Sequence, residues 1–205
     1  MSEPKVYIVD DDPACRDSLA LLLELRGIRS ESCAVPEQFF ERFEPGIPAC
    51  VLLDYRMPSM TGLEVQSEMV RRGWQVPVII LSAHGDVATT RQALKAGALD
   101  FIEKPVDSAL LLDVIEQALA RAQEDIARAA REEAVARRVE RLTPRERDVL
   151  RAVLSGMQNR EIGTALGISP RTVEVYKARV MLKLEAERVS DLIRFCADLP
   201  GLTPR

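Results

Sequence analysis

Four short, largely apolar runs in the first 120 residues, each leading to a polar side chain, constrain the fold of this chain most strongly. They cover residues 6–9, 49–53, 77–81 and 99–102, and a weaker run covers 28–33. Helical patterns alternate with them, one ending at Gly27 and others near 63–72, 86–96 and 108–120. Continuous apolar runs are typical of strands buried on both faces. The alternation therefore predicts a doubly wound α/β domain with a five-stranded parallel sheet.

Polar side chains follow the predicted strands at their carboxyl ends. Asp10 and Asp11 follow the first run, Asp54 follows the second of the four, and Ser82 and Lys104 follow the last two. In an open α/β sheet ligands bind beyond these ends, so we expect the five side chains to lie at one edge. Carboxylates that close repel each other, and a divalent cation relieves the repulsion. Hard oxygen donors of this kind predict a Mg²⁺ site beside a phosphoryl group.

The same set of residues suits phosphoryl transfer to a protein carboxylate. Asp54 lies at the centre of the predicted edge and is the best-placed nucleophile, since a carboxylate can accept a phosphoryl group. The Lys104 ammonium and the Ser82 hydroxyl can stabilise charge on the phosphoryl oxygens. Asp54, Lys104 and Ser82 are therefore the candidate catalytic residues.

These motifs resemble the receiver domains of bacterial two-component systems. The match rests on Val9-Asp10-Asp11-Asp12, Leu53-Asp54-Tyr55-Arg56-Met57-Pro58 with Gly62, Ser82-Ala83 and Lys104-Pro105, and it extends over residues 5–120. The resemblance implies that Asp54 takes a phosphoryl group from the histidine of a sensor kinase. It also implies that Asp10, Asp11, Asp54 and the backbone carbonyl of Arg56 hold Mg²⁺.

The resemblance further implies a conformational switch. Ser82 would move toward the phosphoryl group, and Phe101 would follow into the vacated space, which changes the surface around the fourth and fifth helices. It also implies a cis Lys104–Pro105 bond, which proline permits at low cost. For Phe101 alone, ordinary core packing is an equally good interpretation, and a loop role without chemistry is the simplest one for His84.

Three other functions remain open at this stage. Asp10-Asp11-Asp12 contains the D-x-D pattern of haloacid-dehalogenase-type hydrolases, but Pro13 follows it and Asp54 would have no role. A constitutive DNA binder with an inactive receiver pocket is the second alternative, and a receiver that acts only by protein docking is the third. We expect a regulator that catalyses only its own phosphoryl transfer and slow dephosphorylation, and no other enzyme activity.

Residues 142–205 have a different pattern, that of a small all-α domain. Thr143-Pro144-Arg145-Glu146 predicts a capped helix to about Leu154. Asn159 is the expected cap of a second helix that ends at Gly167, Ser169-Pro170 begins a third that runs to about 184, and a fourth covers about 189–198. The short turn between the second and third helices predicts a helix-turn-helix.

Charge is consistent with a nucleic-acid partner for the second half. Residues 1–120 contain 11 Lys and Arg against 19 Asp and Glu, a net charge of −8. Residues 121–205 contain 17 against 13, a net charge of +4. A basic half joined to an acidic half weakly favours an anionic partner for the basic half.

The helical domain resembles the LuxR-type DNA-binding domain through Leu142-Thr143-Pro144-Arg145-Glu146, Asn159-Arg160-Glu161-Ile162 and Ile168-Ser169-Pro170-Arg171-Thr172-Val173-Glu174. With the receiver motifs, this combination is similar to FixJ-like regulators. The predicted recognition helix is 170–184, with its first half in the major groove. The candidate base readers are Glu174, Val175 and Ala178, and the candidate phosphate contacts are Arg171, Thr172, Lys177, Arg179 and Lys183.

Several of these residues have a simpler interpretation. Arg and Lys on an exposed helix face are as often only solvated. Tyr176 could contact phosphate or pack. The last helix, with Val189, Leu192, Ile193 and Phe195, could pair two domains or fill the core of one.

Between the two domains, residues 108–141 predict one long helix without Gly or Pro. Its Ala-rich apolar stripe fits either a solvated linker or a short coiled coil. We therefore expect a receiver over 1–122, a helical linker over 123–141 and a DNA-binding domain over 142–205.

The remaining composition favours a cytoplasmic protein. The four cysteines lack CxxC spacing, which favours reduced thiols, and neither a signal peptide nor a membrane-spanning run is expected. The expected partners are a sensor histidine kinase, double-stranded DNA, RNA polymerase and, after phosphorylation, a second copy of the chain, with no membrane.

Overall fold

The computed structural model describes residues 3–83, 85 and 87–196, and the chain divides into two compact units between Ile126 and Ala127. The described part of the first unit is an α/β domain, and that of the second is helical. Both predicted fold classes are therefore confirmed. His84 lies outside the described residues.

The first unit is built on a single parallel sheet. Its strands are β1 Lys5–Val9, β2 Arg29–Cys33, β3 Ala49–Asp54, β4 Val78–Ser82 and β5 Asp100–Glu103. Their order is β2-β1-β3-β4-β5, with every neighbouring pair parallel. Every residue of β3 is buried, as its continuous apolar run predicts, whereas β2 lies at an edge and is partly exposed. The edge position explains why the pattern of β2 is the weaker one.

Helices cover both faces of this sheet. They are α1 Pro13–Glu24, α2 Pro36–Arg42, α3 Gly62–Arg71, α4 Val87–Lys95 and α5 Ser108–Glu140. Alternate strand residues face opposite sides. Val6 and Ile8 pack against α1 and α5 on one side, and Tyr7 and Val9 pack against α2, α3 and α4 on the other. The domain is therefore doubly wound, as predicted.

Helix α2 was not predicted from the sequence. It begins at Pro36 and buries Phe39, whose ring lies 5.4 Å from that of Tyr7 and 6.0 Å from that of Trp74. Its seven residues are too few to show a repeated helical pattern. The short helix is held by this aromatic packing more than by its own propensity.

The second unit contains α6 Pro144–Leu154, α7 Asn159–Leu166, α8 Pro170–Leu184 and α9 Val189–Cys196. Thr143 and Glu146 form the predicted capping box, and Gly167 ends α7 with φ +66°. Asn159 is not the cap of α7 but its first residue, and the preceding Gln158 N–H donates to Glu161 at 2.7 Å. The expected end of α9 at residue 198 lies outside the described residues.

The end of α5 belongs to the second unit. Val135 and Val139 pack in the same core as Leu142, Leu150 and Leu184. Residues 127–134 are exposed, whereas α5 residues up to Leu119 pack in the receiver core. The segment 123–141, which we expected to be a separate linker, is therefore shared between the two units. Within the described residues, no helix is both long and apolar enough to cross a lipid bilayer.

Candidate functional site

Lys104 joins two buried carboxylates at the carboxyl edge of the sheet. Its Nζ lies 2.7 Å from Asp10 Oδ2 and 2.6 Å from Asp54 Oδ1. Asp10 follows β1, Asp54 ends β3, and Lys104 follows β5, so three strand ends converge as the sequence predicts. Asp10 is 1% exposed and Asp54 is 8% exposed. Charged hydrogen bonds at such short distances are about twice as strong as neutral ones.

Backbone amides hold the other oxygens of the two carboxylates. The Arg56 N–H donates to Asp54 Oδ2 at 2.7 Å, and the Asp12 N–H donates to Asp10 Oδ1 at 2.9 Å. The loops that follow β1 and β3 therefore orient the carboxylates before any ligand arrives.

Burial and hydrogen bonding shift the pKa values of Asp54 and Lys104. Burial raises the pKa of Asp54 above its ordinary value, although hydrogen bonds from Lys104 and the Arg56 amide oppose this effect. Burial disfavours the charge on Lys104, but hydrogen bonds to Asp10 and Asp54 hold the Lys104 pKa above its usual value. Lys104 is therefore a full cation at neutral pH. Two carboxylates and one ammonium leave the site able to attract a further cation.

The residues present fit a magnesium ion by the chemistry of their donors. Within the described residues, no three His, Cys, Asp or Glu side chains are grouped so as to hold a metal, and Asp11 is exposed. Asp10 and Asp54 nevertheless provide two hard oxygen donors in a buried site. Magnesium requires only one or two carboxylates and takes its other ligands from water and phosphate.

Gly62 explains the spacing of the motif that contains Asp54. A Cβ atom at Gly62 would lie 2.7 Å from the backbone oxygen of Asp54, and the Gly62 N–H donates to the Tyr55 carbonyl at 2.9 Å. Only glycine permits this close approach of two backbones. The loop after β3 therefore folds back tightly onto the phosphoacceptor candidate.

The two predicted switch residues lie on neighbouring strands. Ser82 is buried at the end of β4, and its carbonyl accepts from the Lys104 N–H at 2.8 Å. Phe101 in β5 is half-buried, and its ring meets that of Tyr55 edge-on with centroids 6.4 Å apart. The Lys104–Pro105 bond is cis, which confirms that expectation.

Three residues of the site were missed by sequence reasoning. Tyr55 directly follows Asp54 and contacts Phe101, and Arg16 Nη1 donates to the Asp10 carbonyl at 2.6 Å. Cys15 is half-buried, and burial together with the Asp10 carboxylate raises its pKa to about 11, so it stays a neutral thiol. The helical pattern of α1 indicates which residues face the sheet, but it does not indicate this chemistry.

The predicted recognition helix is α8. Its buried residues are Val173, Val180 and Leu184, and its exposed face contains Arg171, Glu174, Val175, Ala178 and Arg179. Every predicted base reader is therefore accessible. Tyr176 packs partly against the core, and the Arg179 guanidinium lies 5.9 Å from its ring centre.

Three of the predicted phosphate contacts have partners within the protein. The Thr172 N–H donates to the hydroxyl of Ser169, the cap of α8, at 3.1 Å. Lys177 donates to Asn159 at 3.1 Å. Lys183 Nζ lies 2.6 Å from Glu146, a buried carboxylate, which favours a structural ion pair.

Helix α9 contributes to the core and also has an exposed apolar face. Leu192 is buried and Phe195 packs partly against the core, whereas Val189 and Ile193 are 36% and 51% exposed. The core interpretation therefore fits Leu192, while pairing through the exposed residues remains a prediction. All four cysteines lie in the described part of the chain and are free thiols, as expected.

Comparison with known proteins agrees with this geometry. Residues 6–116 match the model of the response regulator receiver domain, and residues 140–196 match the model of the bacterial regulatory proteins of the luxR family. The chain is 40% identical over 199 residues to the transcriptional regulatory protein FixJ of Azorhizobium caulinodans, covering 97% of this chain and 94% of that protein.

Other relatives span the chain equally well. The C4-dicarboxylate transport transcriptional regulatory protein DctR of Rhodobacter capsulatus is 39% identical over 191 residues, covering 92% of this chain and 97% of that protein. The structure of the response regulator StyR is similar with a TM-score of 0.83 and 34% identity, covering 96% and 99% of the two chains. The structure of full-length FixJ from B. japonicum is similar with a TM-score of 0.58 and 36% identity, covering 96% of this chain and 97% of that one.

These relatives are regulators and not metabolic enzymes. The Asp12 carboxylate accepts from the Ala14 N–H and caps α1, which gives no support to the D-x-D interpretation of residues 10–12. The chain belongs to the two-component response regulators that combine a receiver domain with a LuxR-type DNA-binding domain, and it regulates transcription under the control of phosphorylation.

Proposed function

We propose that Asp54 is the phosphoacceptor of this regulator. The observation that carries the proposal is the position of its carboxylate, between the Lys104 ammonium at 2.6 Å and the Arg56 amide at 2.7 Å. Two donors already directed at the carboxylate are placed to stabilise charge on a group attached to it.

The donor is a phosphohistidine of a sensor kinase. A carboxylate oxygen of Asp54 forms a bond to phosphorus while the bond from phosphorus to the imidazole nitrogen breaks, and its electron pair remains on that nitrogen. Lys104 and Ser82 then donate to phosphoryl oxygens. A magnesium ion held by Asp10, Asp11, Asp54 and the Arg56 carbonyl would neutralise phosphoryl charge when bound. The protein transforms no other substrate, and it slowly loses its own phosphoryl group.

Phosphorylation changes the receiver through Ser82 and Phe101. The phosphoryl group adds about −1.5 to −2 charges at one point, and Ser82 moves to donate to it. Phe101 and its neighbour Tyr55 then rearrange, and the surface formed by α4, β5 and α5 changes. Two activated copies associate, which places two recognition helices on one DNA site.

The dimer acts on the promoter as an activator that recruits RNA polymerase. Arg171, Glu174, Val175, Ala178 and Arg179 face outward on α8 and are available for double-stranded DNA. Glutamate accepts from the amino group of cytosine and valine contacts the thymine methyl. Since the chromosome is its target, the protein acts in the cytoplasm.

The experiment has two readouts on the full chain. Intact-mass spectrometry after incubation with acetyl phosphate and Mg²⁺ should show one added phosphoryl group, absent in Asp54→Asn. Asp17 in α1 is exposed, and Asp17→Asn is the matched control that should keep the group.

Light scattering with Mg²⁺ and beryllium fluoride should show a change from monomer to dimer, again lost in Asp54→Asn. Phosphorylation of Asp54→Asn at the wild-type level would refute the assignment of the phosphoacceptor. If the wild-type protein gains the phosphoryl group but stays monomeric in light scattering, only the dimerisation switch is refuted.

A further inference from the structure

A carboxamide from α7 lies between two charged residues of the recognition helix. Lys177 Nζ donates to Asn159 Oδ1 at 3.1 Å, and Asn159 Nδ2 donates to Glu174 Oε1 at 3.4 Å. Asn159 is the first residue of α7, and Glu174 and Lys177 are three residues apart on α8. The three side chains therefore form a short relay across the two helices of the helix-turn-helix.

The two ends of the carboxamide are matched to their partners. Its oxygen can only accept and its nitrogen can only donate. An ammonium on one side and a carboxylate on the other satisfy both ends at once. An aspartate at position 159 would keep the acceptor for Lys177 but would bring a like charge toward Glu174. An aliphatic residue would bind neither.

The relay also separates Lys177 from Glu174. Opposite charges three residues apart on a helix ordinarily attract each other across its surface. Instead of a direct ion pair between Glu174 and Lys177, the structure has Asn159 in contact with both, at 3.4 Å and 3.1 Å. A direct pair would direct the Glu174 carboxylate toward Lys177 and satisfy the oxygens that a base would otherwise contact.

We propose that Asn159 is a positioning residue for sequence readout, which holds Glu174 in the orientation that accepts from a base and keeps Lys177 away from it. The inference rests on the proposed function, in which Glu174 reads a base. Asn159 contributes through Glu174 and so affects one base pair rather than overall affinity. Through Asn159, helix α7 would influence which base the recognition helix α8 prefers.

A direct phosphate contact is the competing role for Asn159. A shallow depression beside the relay is lined by Gln158, Asn159, Arg160 and Lys177, and two of these residues are cationic. Loss of a direct phosphate contact weakens binding to every sequence about equally, whereas loss of a positioning residue changes preference at one position.

The test selects binding sites from a random duplex library with the full chain activated by Mg²⁺ and beryllium fluoride. The variants are Asn159→Leu, Asn159→Asp, Glu174→Ala and the double variant Asn159→Leu with Glu174→Ala. Loss of one good base contact reduces discrimination on the order of tenfold. We expect all variants to lose about this much at the same base pair, and the double variant to lose no more than Glu174→Ala.

The Asn159 variants should remain folded, so a change in base preference would not result from unfolding. A negative charge at the first position of a helix is favourable, so Asn159→Asp keeps α7 and still tests the relay. Thermal unfolding of Asn159→Leu and Asn159→Asp, followed by circular dichroism, should match that of the wild type.

Each contrary outcome has a distinct meaning. If Asn159→Leu and Asn159→Asp retain full discrimination while Glu174→Ala loses it, the positioning role is wrong and the base reader stands. If Asn159→Leu weakens binding to all sequences uniformly and leaves the preference at each position unchanged, the positioning role is wrong and Asn159 is a phosphate contact. If Glu174→Ala changes no preference, the proposed base reader fails, and the inference fails with it.

Discussion

Replacement of Lys104 by methionine tests whether the acidic site depends on its ammonium. The substitution keeps an unbranched apolar side chain as far as the ε carbon and leaves Asp10 and Asp54 buried without their shared cation. Removing one partner of a buried ion pair costs about 3–5 kcal/mol. Lys104 is partly accessible, with 21% of its side chain exposed, so we expect the lower part of that range, about 3 kcal/mol at pH 8.

The loss should depend on pH with a defined sign. Without Lys104, the main opposition to the burial that raises the Asp54 pKa disappears, so that pKa rises further. A carboxyl whose folded pKa lies above its unfolded value destabilises the fold above the folded pKa. The cost is relieved as the pH falls toward the unfolded value, about 3.9. The difference between Lys104→Met and the wild type should therefore be smaller at pH 5 than at pH 8.

Urea unfolding followed by tryptophan fluorescence measures this effect. Trp74 is the only tryptophan of the chain, and its ring lies 4.3 Å from that of Phe43 in the receiver. Lys95 in α4 is exposed, and Lys95→Met is the matched control with little expected change. A loss below about 0.5 kcal/mol, as for an ordinary surface substitution, or one that does not shrink at pH 5, would refute the role given to Lys104.

Three further predictions address other parts of the chain. Gly62→Ala places a methyl 2.7 Å from a backbone oxygen and should cost about 1–3 kcal/mol in the same fluorescence assay. The Lys183 ammonium holds the Glu146 pKa below its usual range. Glu146 therefore stabilises the second unit above its unfolded pKa and loses this effect as the pH falls through its folded pKa. In Glu146→Gln, the pH dependence of stability, measured as hydrogen-exchange protection of α6 and α8, should be absent. Val135→Asp should speed exchange throughout the second unit by at least about tenfold because it buries a charge, whereas Ala134→Asp, one residue earlier on the exposed face, should not.

Much of the receiver could be predicted because its strands are buried on both faces. A run such as that of β3 admits no polar residue until the strand ends, so Asp54 marks both the strand boundary and the site. Helix α2 could not be predicted in this way because seven residues show little more than one apolar repeat. Its starting Pro36 and the spacing of Phe39 and Phe43 were the available signals.

The site was predictable in its composition but less so in its contacts. Strand order places Asp10, Asp54 and Lys104 together, yet no sequence pattern indicates that Lys104 bonds both carboxylates. In the second unit, Lys183 has the charge of a phosphate contact and lies on the right helix. Its pairing with Glu146 depends on a contact 37 residues away, which helical periodicity does not encode.

The contact of Lys104 with Asp54 gives the ammonium two competing uses. In the resting receiver it stabilises a buried carboxylate through Oδ1. In the proposed mechanism, phosphorylation converts that carboxylate to an acyl phosphate, which removes the charge from the carboxyl and places about −1.5 to −2 charges on the phosphoryl oxygens. The Lys104 ammonium is then attracted to the phosphoryl oxygens, which lie beyond the Asp54 carboxyl group, while Asp10 still contacts it from the other side. The backbone N–H of Lys104 also donates to the Ser82 carbonyl at the end of β4, so the two candidate phosphoryl contacts lie on neighbouring strand ends. The proposed mechanism therefore predicts that loss of the ion pair in Lys104→Met weakens both stability and activation.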